Sequence, residues 1–388
     1  MLALLCVTVL LGAAPGTPPI PGARGAHGAS SGADHGPPRA VVSQGLGSVS
    51  TLAPWLSSPV AFRDAKNRAA ISHALHTLAN LRHPFFREPG SSSTGVGELF
   101  GRQAARAQAD FASGHTESAR FRVQALTQLC LGCHLREPSR DFVDAAKVVE
   151  GLQLTALQRA HYYATMRQFD LALGVWAVEL ARPVKLESEQ FEQLEALRLA
   201  LRVAVRVKDS APLAQRLIAP QLERAGLPGF ALRELQSWQA AAEGWEAEHF
   251  VLSERTPAAL VARAASLVKA TEAQTHVAAM PEHFLSLLRA ASYLDEAMRQ
   301  DPEGPGRGQA LYLLGVVHAS ISESPLWQLE WMYFEACIRE NAGLPLARAC
   351  GERLQDRTWF IWRTGADMPA STAGALKELL VLAKVSSN

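Results

Sequence analysis

The stretch Leu157–Pro183, LQRAHYYATMRQFDLALGVWAVELARP, decides the fold class. Its apolar and small residues recur at intervals of three and four, the period of a helix rather than of a strand. Ala160 and Tyr163 fall on one helical segment, Phe169, Ala172 and Trp176 on the next, and Pro183 ends it. A small Ala lets two helix backbones approach, while aromatic rings fill the groove between them. Working outward, Tyr293–Leu354 repeats the scheme. Ala297 precedes the turn Asp301-Pro302-Glu303-Gly304-Pro305-Gly306, and Leu311, Leu314, Gly315 and His318 follow it. Leu197–Val207 and Ala258–Lys269, between these units, carry the same period without the same marker residues. Alternating Val, Ile and Thr runs bounded by Asn-Gly or Asp-Gly are absent. The expected fold class is all-α.

Ala160, Tyr163, Phe169, Ala172, Trp176 and Pro183 resemble the tetratricopeptide pattern, and the stretch from Ala297 to His318 is similar to the junction of two such repeats. The resemblance covers about half the chain. It implies that residues 150–365 form an array of α-α hairpins that binds a protein partner, with a C-terminal helix or tail over 366–388.

Composition sets the outer bounds. Of 388 residues, 48% are hydrophobic and 19% charged, which excludes wholesale disorder. Lys+Arg 38 against Asp+Glu 37 leaves a net charge of +1, so no basic field exists to hold nucleic acid. Met1–Ala14 (MLALLCVTVLLGAA) is too short to cross ~30 Å of hydrocarbon. It reads as a signal peptide that lacks a positive n-region, giving an exported, periplasmic chain with no transmembrane span once mature. Cys6 follows Leu5 and does not read as a lipoprotein anchor. Residues 15–43, rich in Pro, Gly, Ala and Ser, read as a disordered linker.

Before the hairpin array, three further amphipathic stripes mark helices. They are Ile71, Ala74, Leu75, Leu78 and Leu81; then Phe100, Ala104, Ala107 and Phe111; then Val123, Leu126, Cys130 and Cys133. The third begins near Thr116 and closes at Glu137-Pro138. It ends in the string Cys130-Leu131-Gly132-Cys133-His134. C-x-x-C-H is the attachment signature of c-type haem. Cysteines at i and i+3 on a helix can form thioethers to two vinyl groups of one porphyrin, and the adjacent imidazole can take the iron as proximal ligand. A structural zinc site needs four ligands and no second Cys/His pair lies near. A thioredoxin-like dithiol expects a βαβ pattern, which is missing. Two buried structural cysteines beside an unrelated His are the remaining alternative.

The run Phe121–Arg136 (FRVQALTQLCLGCHLR) resembles the last helix of cytochrome c′ and its four-helix-bundle relatives. That resemblance implies a helical haem-binding domain over 44–145, one covalent haem c on Cys130 and Cys133, and His134 on the iron, the distal side being open or weakly filled. Three helices are evident, and Leu46–Leu56 is the stretch that would supply a fourth. No Met lies between Met1 and Met166 to act as sixth ligand. The candidates are His73, His76, His83 and His115; His73 and His76 read first as solvated helix histidines, and His73, flanked by Ala70 and Thr77, is the better of the two for a distal ligand.

Cys337 and Cys350 flank the turn Asn341-Ala342-Gly343 and are expected to form a disulfide in an exported protein. Trp327, Trp331, Tyr333, Phe334, Trp359, Phe360 and Trp362 read as packing residues, with a partner groove as the alternative. Arg198, Arg202 and Arg206 read as a solvated basic face. The resulting expectation is an exported monohaem electron carrier whose repeats hold a protein redox partner. The alternative is a haem-based gas or redox sensor, or an assembly factor, acting through the repeats. An enzyme such as a peroxidase fits less well, because a single C-x-x-C-H is present.

Overall fold

A computed structural model describes residues 39–56, 58–81, 96–133, 154–184, 186–224, 226–248, 254–272, 281–321, 329–362 and 368–384. Among them are sixteen α-helices and no strand. The N-terminal five are α1 (Arg39–Leu56), α2 (Pro59–Arg63), α3 (Arg68–Ala79), α4 (Val96–Ala112) and α5 (Thr116–Cys133). Ser58 starts α2 by accepting a hydrogen bond from Ala61 N at 3.2 Å, with Pro59 in the first helical position, where its missing N–H costs nothing. α1 begins at Arg39, inside the segment whose composition reads as linker, and extends well beyond Leu46–Leu56. It closes a ring: α1 packs on α3, α3 on α4, α4 on α5, and α5 back on α1. Leu52, Leu56, Ile71, Leu75, Leu78, Ala104, Ala107, Phe111, Val123 and Leu126 fill the interior. Phe62 of α2 meets Phe111 edge-on at 5.6 Å.

The next elements are α6 (Ala156–Thr165), α7 (Phe169–Ala181), α8 (Glu187–Arg206), α9 (Ala211–Leu222), α10 (Gly229–Glu246) and α11 (Pro257–Glu272). They are followed by α12 (Phe284–Gln300), α13 (Arg307–Ile321), α14 (Leu329–Glu340), α15 (Pro345–Trp362) and α16 (Ala370–Leu382). Consecutive helices pack as hairpins, α6 on α7, α9 on α10, α11 on α12, α13 on α14 and α14 on α15. A capping box opens α6, in which Gln158 N donates to Thr155 Oγ1 (3.2 Å) and Thr155 N to Gln158 Oε1 (3.0 Å). Ala160, Tyr163, Ala172 and Trp176 are buried and Phe169 is half-buried, as the small-plus-aromatic pattern requires. Gly315 of α13 lies under the Phe334 ring of α14, where any Cβ would collide with it.

The ring and the hairpins belong to one unit spanning 37–388. α1 packs on α6, and α5 packs on both α12 and α14. Among the described residues no helix is long and apolar enough to cross a membrane. Met1–Ala14 lies outside the described residues.

Candidate haem-attachment site

α5 carries the two cysteines of interest, and three of its polar side chains fix its position. Arg120 Nη1 (2.8 Å) and Gln124 Nε2 (2.9 Å) donate to the carbonyl of Leu56, the last residue of α1. Arg122 is fully buried. It donates to Asp110 (2.8 Å) and Gln103 Oε1 (2.9 Å) of α4, and to Thr372 Oγ1 (2.8 Å) of α16. Burial pushes the Arg122 guanidinium below its ordinary value while the Asp110 carboxylate pulls the other way. Asp110 is also held by Ser118 Oγ at 2.7 Å, so the buried pair is hydrogen-bonded on both sides.

From Val123 and Leu126 in the core, the helix runs unbroken to Cys133. Positions 130 and 133 therefore stand three residues apart on its final turn, the i, i+3 spacing that sets two residues on one side of a helix. His134, His83 and Glu137-Pro138 lie outside the described residues. Two thiols one turn apart with an imidazole next in sequence are a donor set that suits a c-type haem, and the helical backbone through Cys133 keeps the spacing that this chemistry needs.

The other histidines of the ring are exposed. His73 is on the outer side of α3, a helix that packs on α1 and α4 through Ile71, Ala74, Leu75 and Leu78. His76 meets Gln108 Nε2 at 3.0 Å and Asn80, and His115 meets Ser113 Oγ at 2.9 Å in the α4–α5 turn. Among the described residues no group of three or more His, Cys, Asp or Glu side chains is placed to hold a metal ion.

Sequence reasoning missed a second node. Glu335 of α14 is wholly buried and accepts from Arg106 (2.6 and 3.2 Å) and Gln103 (3.4 Å) of α4, and from Arg339 (3.0 Å) of its own helix. Arg102 lies 3.2 Å away. Burial pushes the Glu335 carboxyl up, but Arg106, Arg102 and Arg339 outweigh it and hold it below its ordinary value. Gln103 bonds both Arg122 and Glu335, so the helix of the cysteines is wired to the C-terminal hairpins through one amide.

The basic stripe of α8 is a correction. Arg198, Arg202 and Arg206 do not form a solvated face; they turn inward. Arg198 pairs with Glu234 of α10 at 2.7 Å and Arg206 with the buried Asp295 of α12 at 2.6 Å, while Arg202 lies over the Phe284 ring at 5.6 Å. Beside them His318 is buried and stacks on Tyr333 at 5.2 Å. Its imidazole is held well below its ordinary value by burial, then by Arg206 and Arg202. It is a neutral packing residue.

Cys337 and Cys350 form a disulfide with Cα atoms 6.3 Å apart, joining α14 to α15. Of the C-terminal aromatics, Trp331, Tyr333 and Phe334 are buried, Trp359 is 64% exposed, Phe360 and Trp362 are half-buried, and Trp327 lies outside the described residues. Compared with protein-family models, with curated proteins and with solved structures, the chain matches none.

Proposed function

We propose that the chain is an exported, periplasmic monohaem c-type protein that carries electrons, with the helical hairpins as the scaffold for its protein redox partner. The observation that carries this reading is the unbroken helix of α5 up to Cys133, which sets both cysteines of the C-x-x-C-H string on one turn at the end of a four-helix ring. Cys130 and Cys133 would hold the haem as thioethers, each thiol adding its S–H across one vinyl C=C so that no oxidant is consumed, and His134 would supply an imidazole to the iron. The chemistry the group would supply when bound is reversible one-electron exchange. Arg120, Arg122 and Gln124 hold α5 in place, so the attachment turn rests on a rigid support.

The reading is tested by expressing the chain with cytochrome c maturation and recording a pyridine haemochrome spectrum and an intact mass. A mass gain of one haem that disappears in Cys130→Ala/Cys133→Ala supports it, and a colourless mature protein in the periplasmic fraction ends it. His73 is exposed on the outer side of α3, as a solvated histidine is, so His73→Ala is expected to leave the haem spectrum unchanged; conversion of a low-spin spectrum to a high-spin one would put His73 on the iron.

A sensor or assembly-factor reading is favoured by a different observation. The amide of Gln103 links Arg122 on α5 to Glu335 on α14, so a shift of α5 is felt in the hairpins. Uptake of CO or NO by the ferrous protein, with altered protease sensitivity of the hairpins, selects this reading over electron transfer.

A further inference from the structure

The α9–α10 turn places one arginine differently from several others of this fold. Arg122, Arg206, Arg289 and Arg357 each meet a carboxylate, Asp110, Asp295, Glu248 and Glu330 in turn, at 2.8, 2.6, 2.5 and 3.0 Å. Arg224 stands just beyond α9 and is half-buried. Its terminal nitrogens donate to neutral acceptors, Gln193 Oε1 of α8 and the Leu180 carbonyl near the end of α7. Among the described residues no acid pairs with it. Burial pulls the guanidinium below its ordinary value, and no carboxylate pulls it back. Gln221 already caps the same Leu180 carbonyl at 3.4 Å, so a formal charge at 224 is more than the end of α7 needs. A guanidinium has five N–H groups, and its two bonds leave three for another acceptor.

That charge lines a cleft of about 270 Å³ between the end of α7, α8 and α10. No acid contributes to its wall, which is apolar or neutral apart from Arg182 and Arg224. Arg182 is matched by Glu179 and Glu189, each at 3.3 Å, so Arg224 gives the cleft its uncompensated positive charge. Leu194, Leu197 and Leu235, all buried, form the deeper wall. Nearer the surface, Phe191 of α8 and Phe230 of α10 stack with centroids 5.7 Å apart and planes 15° apart. Both rings are exposed, at 50% and 38%. Two parallel rings left open to water are a platform on which a further ring would bury apolar surface.

We propose that this cleft binds a small carboxylic acid with a flat aromatic body, its carboxylate paired with Arg224 and its ring against Phe191 and Phe230. The open N–H groups of the guanidinium match a carboxylate in charge and in fork geometry. Apolar walls with one fixed charge are the ordinary make-up of a small-molecule site. The volume falls just under the range that holds drug-sized ligands, which limits the guest to roughly ten non-hydrogen atoms. A ligand of that size is expected to bind with a dissociation constant of about 0.1–1 mM. The cleft uses no residue of the cysteine string, so it stands or falls separately from the haem reading.

Ligand-observed NMR titration of the full chain with hydrocinnamate and with its neutral amide tests the site. The wild type should hold the acid at least about tenfold more tightly than the amide. Arg224→Gln should bring the acid down to the affinity of the amide, with helical circular dichroism unchanged. Phe230→Ala should weaken both probes by about threefold or more while the acid stays ahead. Equal binding of acid and amide by the wild type would assign the cleft to an apolar side chain of a protein partner and overturn the proposal. An absence of acid binding at about 10 mM overturns it as well, being beyond the expected range. Acid binding that both variants leave unchanged lies elsewhere on the chain and has the same force. Should Arg224→Gln fail to fold, the acid–amide ratio of the wild type and the loss in Phe230→Ala decide the matter.

Discussion

Changing Glu335→Ala removes the carboxylate that Arg102, Arg106 and Arg339 share. Glu335 has no exposed side-chain surface, while the three arginines keep 24%, 16% and 20%. Breaking a buried pair from one side costs about 3–5 kcal/mol, because the surviving charge stays desolvated. Here the guanidinium groups retain some water and Arg339 keeps Glu378 at 2.9 Å, which sets the expectation at the low end, about 3 kcal/mol. The loss falls first on Arg106, the shortest contact at 2.6 Å. Urea unfolding followed by circular dichroism and tryptophan fluorescence measures it. The pH dependence has a definite sign. The folded carboxyl titrates below its ordinary 4.5, so its contribution is complete above that pH and is lost as the pH falls through the lower folded value. The gap between wild type and variant should therefore narrow as the pH falls below 4.5. A loss below about 1 kcal/mol at neutral pH, or a gap that acid leaves unchanged, refutes the reasoning.

Three other perturbations give distinct outcomes. Burial pushes the Glu330 carboxyl up to about 7 against the pull of Arg357, so the folded state takes up a proton that the unfolded chain releases between 4.5 and 7. Stability should fall as the pH rises through that window, and thermal melts of Glu330→Gln should lose the slope; a variant that retains it contradicts the assignment. Gly315→Ala drives a methyl into the Phe334 ring and should cost about 1–3 kcal/mol in denaturant unfolding, with a neutral result showing that α13 and α14 can part without penalty. Reducing the Cys337–Cys350 bridge, which spans 13 positions, should cost about 3 kcal/mol, read as a lower melting temperature in dithiothreitol; an unchanged melt means that α14 and α15 are already held without it.

The α6–α7 hairpin was legible because helix pairing needs a small residue and an aromatic at fixed spacing, and Ala160 and Trp176 supply both. The helix that carries positions 130 and 133 was legible for a different reason: its stripe of Val123 and Leu126 keeps one helical period up to the cysteines, and no distant contact is needed to read it. α1 was largely hidden. Gly45, Gly47 and Pro54 lower its intrinsic helix propensity, and burial of Leu52 and Leu56 against neighbouring helices overrides that deficit. The inward turn of Arg198 and Arg206 was hidden too, since their acids, Glu234 and Asp295, stand 36 and 89 positions away. A charged residue at helical spacing has the same local signature whether water or a distant carboxylate receives it. Glu335 shows the same limit in reverse, because the arginine that dominates its environment is 229 positions earlier.

These separations also order events in time. Arg106 awaits Glu335 across 229 positions, and Arg122 awaits Thr372 across 250. A chain that emerges N-terminus first at about 5–20 residues per second leaves α5 for roughly 10–50 s without the helices that later lock it. The seat of α5 is therefore completed only by the end of the chain: a polypeptide cut short before α14 would leave Arg106 without Glu335 and Arg122 without Thr372.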